Sequence, residues 1–326
     1  MSTYQSPWMT EELAIFREAA SRFVEAEMVP KDSQWRQQHH LDKEFWRLAG
    51  SQGFLCTDIP ECYGGGGGDF RHEAVFFEEQ WRRGLSGMGQ GVHSINAHYI
   101  LNYGTEAQKR EWLPAMARGD AIGAIVLTEP GGGSDLRSIR TNAIRDGDSW
   151  VLNGQKTFIT NGQCADLLVV AAKSSRDPAQ KEITLWVVEA SSPGVSRGQN
   201  FQKIGMKAQD TCELYFDNVR LTERNLLGKE DQGFPMLTCE LAWERLQIAV
   251  GAVATSAAAL QWTRDYTRER KAFGGLVSDF QNTRFRLAEI KAEIEIAQVF
   301  VDRCLVEAAA EKLDKTVAAM AKYWCT

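Results

Sequence analysis

The 326-residue chain lacks a Cys-x-x-Cys pair, a histidine pair at zinc-ligand spacing, an apolar run of membrane-spanning length and any excess of positive charge. Each absence excludes something. Its seven cysteines, at 56, 62, 164, 212, 239, 304 and 325, are odd in number and scattered. They argue against a structural metal or a disulfide framework and suit a reducing compartment. A formal net charge of −6 argues against nucleic acid as the main partner, because phosphate binding needs a basic face. Residues 1–10 carry neither a basic stretch nor an apolar core, so no leader is expected, and no membrane anchor. The cytoplasm, or an equivalent reducing lumen such as the mitochondrial matrix, follows. His39, His40, His72, His93 and His98 form no ligand pair and receive no role. What is present is an ordinary apolar fraction with mixed charges, as in a soluble globular protein of two or three packed units.

The first third reads as helical. Over 10–28, Leu13, Phe16, Ala20, Phe23 and Val24 recur near a 3.6-residue period, with Thr10 as N-cap and Pro30 as the stop. A second helix is expected over 42–51. Pro60 and the five glycines at 64–68 then make a loop. Further helices are expected over 70–82, 92–101 and 105–117. From 120 the pattern changes. Residues 121–127, 149–152, 156–159, 167–172, 183–188 and 212–216 form short β-branched or aromatic runs between Gly, Asn, Asp and Pro, which predicts a small β-domain. Near Gly233 it switches back: 240–268 and 279–311 are long, periodic and alanine-rich, and 315–324 begins a third helix. Such helices bury one face against each other in an antiparallel bundle. Helices, strands and helices in that order predict an α+β fold, with domains at 1–120, 121–230 and 231–326.

Two stretches carry candidate chemistry. Thr128-Glu129-Pro130-Gly131-Gly132-Gly133-Ser134-Asp135 follows the run at 121–127. Its glycines let a ligand approach the main chain, and its hydroxyls and amides suit phosphate or polar ring edges. It is not a dinucleotide fingerprint, since the G-x-G-x-x-G spacing is absent. Asn153-Gly154-Gln155-Lys156-Thr157-Phe158-Ile159-Thr160-Asn161-Gly162 reads as a hairpin whose strand is pinned by an Asn-Gly at each end. Alternation along that strand puts Phe158 and Thr160 on one face. An aromatic wall beside a hydroxyl suits a planar heterocycle; an ordinary amphipathic hairpin would read the same way.

These two blocks are followed in order by Lys203-Ile204-Gly205-Met206-Lys207-Ala208-Gln209-Asp210-Thr211, by Glu244-Arg245, and by Arg270-Lys271-Ala272-Phe273-Gly274 with Phe280-Gln281. Together they resemble the acyl-CoA dehydrogenase family over essentially the whole chain. Lys207-Ala208-Gln209-Asp210-Thr211 and Met320-Ala321-Lys322-Tyr323-Trp324 are most similar to its long-chain branch. The resemblance implies a helical N-terminal domain, a β-barrel-like middle domain and a C-terminal helical bundle. It implies bound FAD, a fatty acyl-CoA substrate in β-oxidation, electron-transferring flavoprotein as oxidant, and a homotetramer or homodimer. Carried over by position, Leu127 and Thr128 contact the pyrimidine side of the flavin, and Ser134 lies near the pyrophosphate and the pantetheine of CoA. Phe158, where the family more often has Trp, packs on the isoalloxazine; Ile159 and Thr160 complete that wall, with Thr160 near N5. Arg270, Phe273 and Gln281 match residues that reach the FAD of a neighbouring subunit. Taken alone, Arg268, Arg270 and Lys271 would read as a solvated helix end.

The implied reaction removes an α-proton from a thioester while hydride leaves the β-carbon, and a carboxylate is the natural base. The family's common catalytic Glu lies in a C-terminal segment beyond Thr326, so the chain reads as lacking that segment and the glycine-rich stretch beside the FAD adenine. The long-chain and isovaleryl branches take their base from the first helix of the bundle, at the position of Glu244. Glu240 lies one turn earlier and competes with it; Arg245 is expected to orient the site or the substrate. Besides a dehydrogenase, an acyl-CoA oxidase or a shortened homologue that binds acyl-CoA without turnover fits the same residues.

Overall fold

The computed structural model describes residues 4–177 and 181–326, so the reading of residues 1–10 falls partly outside the described residues. In chain order its helices begin with α1 (Glu11–Phe23), α2 (Asp32–Gln38), α3 (Lys43–Ser51), α4 (Phe70–Trp81), α5 (Gln90–Tyr103) and α6 (Glu106–Ala117). The strands β1 (Gly123–Val126), β2 (Asn142–Asp146), β3 (Ser149–Thr160), β4 (Leu167–Ala172), β5 (Thr184–Glu189), β6 (Val195–Arg197), β7 (Thr211–Leu221) and β8 (Leu226–Leu227) follow. Then come α7 (Gly233–Glu269), a two-stranded turn of β9 (Lys271–Ala272) and β10 (Gly275–Leu276), α8 (Gln281–Ala309) and α9 (Lys315–Cys325). The fold is α+β, helical at both ends with sheets in the middle. No helix among the described residues is long and apolar enough to cross a membrane.

The chain forms two compact units, one of Met1–Pro30, Phe70–Leu85 and Leu241–Thr326, the other of Lys31–Asp69 and Ser86–Glu240. In the first unit, α1 starts where the Thr10 hydroxyl accepts the Leu13 N–H at 3.2 Å, a cap contributing about 1 kcal/mol. It packs on α4 through Phe23 and Phe76, with ring centroids 6.2 Å apart. On α7, Gly251 lets Phe77 of α4 come so near that an added Cβ would lie 2.7 Å from its ring. Along α8, the buried Asp302 carboxylate accepts the Trp8 indole N–H at 2.8 Å. Pro30 does not end the helical path as expected. A π-turn at Val24–Met28 and a 3-10 turn at Val29–Lys31 absorb it, and α2 begins at Asp32. A tighter or wider turn tolerates a missing donor that an α-helix interior does not.

The second unit is built on two sheets, β1-β4-β5-β8 and β2-β3-β7-β6. Among the described strand pairs of this unit, β1 and β4 run parallel and the others antiparallel. One core lies between the sheets, where Val126, Leu168, Val170 and Trp186 meet Trp150, Leu152, Ile159, Leu214 and Phe216. A second core forms where the opposite faces of β4 and β5 (Leu167, Val169, Leu185, Val187) meet Ile100, Trp112, Leu113 and Met116 of α5 and α6. Covered on both faces, β4 is a continuous apolar run rather than an alternating one. Asn96 of α5 donates to the carbonyls of Ala124 at 2.9 Å and Leu167 at 3.2 Å, tying the helix to both parallel strands.

Three sequence expectations change here. The runs at 149–152 and 156–159 are one strand, β3, which Asn153-Gly154 continues; at the register shift between Leu152 and Gly154 the extra residue lies in β7, where Asp217 and Asn218 oppose Asn153. Gly154, at φ +155°, lies so close to Thr141 that a side chain would overlap its hydroxyl, and Asn153 Oδ1 accepts the Asn218 N–H across the ladder at 2.9 Å. The hairpin turn is instead at Gly147, φ +64°, between β2 and β3. Helix α7 starts at Gly233 rather than at 240, because Pro235 sits in its first turn, where the missing N–H has no helical partner to lose. Strands β2, β6 and β8 had no expectation of their own; β6 and β8 are three residues and two residues long.

Candidate functional site

In the second unit, the loop after β1 is bonded directly to β3. Thr128 O accepts the Thr157 N–H at 2.9 Å. Leu127 O accepts the Lys156 ammonium, also at 2.9 Å. Glu129 and Gly132 exchange two main-chain hydrogen bonds of 3.0 Å, which closes a tight turn and projects Pro130 and Gly131. Nothing lies within 4 Å of a Cβ added at Gly131, and at Gly133 only the Thr128 methyl does, at 3.9 Å. The glycine-rich main chain is therefore open to close approach. Leu127 and Thr128 are half-buried and Ser134 is exposed.

Lys156 and Glu129 form a buried ion pair, Nζ to Oε1 at 2.9 Å, with side-chain exposures of 0% and 7%. The carboxylate also takes the Thr141 N–H at 3.0 Å and the Arg140 N–H at 2.6 Å. Burial pushes the Lys156 amine down to about 8, and the Glu129 charge only partly restores it. Burial also raises the Glu129 carboxyl, but the Lys156 charge and the amide donors outweigh it and hold it below the ordinary range. Neither residue was singled out from the sequence. The signal lay in the strand pattern, where a lysine on the inward face needs a partner.

Phe158 sits at a second register shift of β3, between Lys156 and Ile159. Its φ is +57°, a left-handed conformation uncommon for an aromatic residue, and the ring is 66% exposed. Among the described residues its aromatic neighbour is Phe201, with centroids 5.2 Å apart. Ile159 turns the other way and is 2% exposed in the core, so any contact it makes with a ligand passes through its main chain. Thr160 is half-buried. The strand end is fixed by Asn161, whose amide donates to Gly89 O at 2.9 Å and Gly123 O at 3.1 Å. A cleft of about 400 Å³ beside the loop is lined by Glu129, Pro130, Gly131 and Gly154, but not by Phe158 or Thr160.

The chemistry of this set fits a flavin. A projecting aromatic ring offers a stacking face, the loop main chain is open beside it, and the Thr128 and Thr160 hydroxyls supply polar partners.

Glu240, at the start of α7, also belongs to the second unit. It accepts the Tyr103 hydroxyl at 2.7 Å and the Asn102 amide at 3.1 Å. Burial and that bond to Glu240 push the Tyr103 phenol well above its ordinary range. Glu240 is thus engaged in a structural network. In the first unit, Glu244 and Arg245 are half-buried on α7. Arg270 and Gln281 are exposed at the facing ends of α7 and α8, and Phe273, between β9 and β10, is 99% exposed at φ +52°. An exposed guanidinium, an exposed ring tilted against Phe280 with centroids 6.3 Å apart, and an exposed amide have the chemistry to meet an anionic group joined to a heterocycle. The second unit thus collects Leu127, Thr128, Ser134, Phe158 and Thr160, and the first Glu244, Arg245, Arg270, Phe273 and Gln281.

The acyl-CoA dehydrogenase N-terminal, middle and C-terminal domain models match residues 10–120, 124–219 and 231–326. The mitochondrial long-chain specific acyl-CoA dehydrogenase of Sus scrofa is 44% identical over 316 residues, spanning 96% of this chain and 73% of that protein. The crystal structure of an acyl-CoA dehydrogenase from Geobacillus kaustophilus superposes with a TM-score of 0.95 at 43% identity, covering 98% of this chain and 85% of that one. A Mycobacterium smegmatis glutaryl-CoA dehydrogenase in complex with FADH2 superposes with a TM-score of 0.88 at 30% identity, covering 97% and 81%.

Proposed function

This chain belongs to the acyl-CoA dehydrogenase family, and from that premise we propose how it acts: as an FAD-dependent oxidoreductase it converts a fatty acyl-CoA to the trans-2-enoyl-CoA. The α-carbon loses a proton, the β-carbon loses a hydride, and a carbon–carbon double bond forms between them. FAD, when bound, supplies the hydride acceptor. Glu244 takes the α-proton on its carboxylate, and Arg245 orients the acyl-CoA. The main chain of Leu127 and Thr128 holds the pyrimidine side of the flavin, and Ser134 serves its pyrophosphate and the pantetheine of the substrate.

Phe158 covers one face of the isoalloxazine and excludes water there, beside the Thr160 hydroxyl and the Ile159 main chain. Arg270, Phe273 and Gln281 serve the FAD of a neighbouring copy, Arg270 as the cation for the pyrophosphate. The acting form is a homotetramer or homodimer, with domains at 1–120, 121–230 and 231–326, and electron-transferring flavoprotein removes the electrons in a reducing compartment. The 44% identity to a long-chain enzyme favours long acyl chains.

The observation that carries this reading is Phe158, an aromatic ring held out of the core at φ +57° beside a glycine-rich loop bonded to its own strand. Strain of this kind persists where function requires it. The test is anaerobic mixing of the FAD-loaded chain with acyl-CoAs of graded length. Loss of visible flavin absorbance, matched by enoyl-CoA formation and strongest with long chains, is expected. An FAD-loaded chain that bleaches with none of them would overturn the proposed reaction.

A further inference from the structure

None of the roles above uses the buried pair Lys156 and Glu129, yet it joins the segments that carry them. The Lys156 ammonium reaches Leu127 O and Glu129 Oε1, each at 2.9 Å. One residue along the strand, the Thr157 N–H reaches Thr128 O at 2.9 Å. The next residue is Phe158. Glu129 extends the connection by accepting the main-chain N–H groups of Arg140 and Thr141. Loop residues 127–129 are thus cross-linked to Lys156 and Thr157 of the strand, through one side-chain charge pair, one ammonium-to-carbonyl bond and one main-chain bond.

Stability is a weak reason for such a pair. Replacing a buried ion pair by apolar groups of similar volume is often neutral or stabilising, whereas removing one partner leaves an uncompensated charge in a medium of low dielectric. We propose that Lys156 and Glu129 are positioning residues for the flavin: they lock the loop at 127–129 to the bulge that carries Phe158, and they keep the charge behind that wall balanced. This rests on the flavin reading of the preceding subsection. The pair acts through Leu127, Thr128 and Phe158 and touches no reacting atom.

Balanced charge yields a signed test. With Glu129 left alone, a carboxylate beneath the site disfavours gain of electrons by the flavin. With Lys156 left alone, an ammonium favours it. In the FAD-loaded protein, Lys156→Met is expected to lower the flavin midpoint potential and Glu129→Gln to raise it, measured by equilibration with redox dyes. Each variant should weaken FAD binding at least about 10-fold, since one good charge-assisted contact is of that order. Lys156→Arg, which keeps the charge, should retain the wild-type direction of balance and recover part of the affinity.

If a single variant does not fold, the double variant Lys156→Met with Glu129→Gln leaves no orphan charge and gives the answer. Its potential should lie between those expected of the single variants, with FAD still bound at least about 10-fold more weakly than by the wild type. A pair that only holds the fold together would lower the urea midpoint without moving the potential in opposite directions. Unchanged affinity in the double variant, or single variants with potentials shifted the same way or not at all, overturns the positioning role alone. A wild-type chain that takes up no FAD overturns the flavin reading and this role with it.

Discussion

His93 Nδ1 accepts the main-chain N–H of Gly123 at 3.1 Å, with the imidazole wholly buried on α5 and Gly123 opening β1. An acceptor at Nδ1 places the ring proton on Nε2, the nitrogen that lies 3.7 Å from Cys56 Sγ. Burial pushes this imidazole down to about 4 from an ordinary 6.5. Between those values the unfolded chain binds the proton and the folded chain does not, so stability rises with pH across the window. The contribution is whole above pH 6.5 and is lost as pH falls towards 4, by roughly 3 kcal/mol in all. Urea midpoints at several pH values across that window should show the loss. His93→Asn, which keeps an acceptor but cannot protonate, should show less of it. Equal losses in both proteins would assign the effect elsewhere.

The two carboxylates on α7 separate by mutation. Glu244→Gln should slow anaerobic flavin bleaching by at least about 100-fold, the ordinary contribution of a positioned base, with FAD binding unchanged. Glu240→Gln should leave the bleaching rate within a few-fold and lower the thermal midpoint slightly, because Tyr103 and Asn102 lose a charged acceptor. The opposite pattern would make Glu240 the base.

Phe158→Gly sets conformational relief against lost contact. The left-handed backbone costs a non-glycine residue about 1–2 kcal/mol, and glycine forfeits roughly 0.5–1 kcal/mol of that through unfolded-state entropy. The urea midpoint of the FAD-free protein is therefore expected to hold or rise slightly. FAD affinity should fall about 10-fold for want of the ring, read by quenching of flavin fluorescence. Loss of stability together with unchanged affinity would mean that Phe158 serves packing and not the cofactor.

Gly154→Ala is expected to destabilise the sheet by roughly 2 kcal/mol, since the new methyl group overlaps Thr141 at a φ that only glycine adopts freely. Thermal unfolding followed by circular dichroism measures it. A midpoint equal to wild type would show that Thr141 moves aside without cost.

The helices were largely legible because their information is local. Thr10 before an acidic first turn, and Thr105 with Gln108 as a reciprocal cap, mark their helix starts in the sequence. The sheets were less so. Asn153-Gly154 carries a strong turn signal, yet pairing with β2 on one side and β7 on the other keeps it inside one strand, with the extra residue in β7 opposite. Nothing within that dipeptide tells of Thr141 or Asn218. The octet at 128–135 and the strand carrying Phe158 were legible as separate motifs. Their cross-link was not, because Lys156 and Glu129 are separated along the chain by an entire hairpin. Tyr103 and Glu240 escaped for the same reason, as partners far apart in sequence.

The register shift between Lys156 and Ile159, where the extra residue lies in β3, gives the strand a counting rule. Side chains alternate between core and ligand faces, so each extra residue in a bulge reverses which parity faces outward. The projection of Phe158 and the burial of Ile159 are therefore counted from the bulge at their own end and not from the start of the strand at Ser149. Substitutions near Trp150 and Leu152 can remodel the core without turning Phe158. A single-residue insertion or deletion between Leu152 and Lys156 would set the buried lysine at odds with the core face that Trp150 and Leu152 share with it. Length in that short interval is the variable least free to drift.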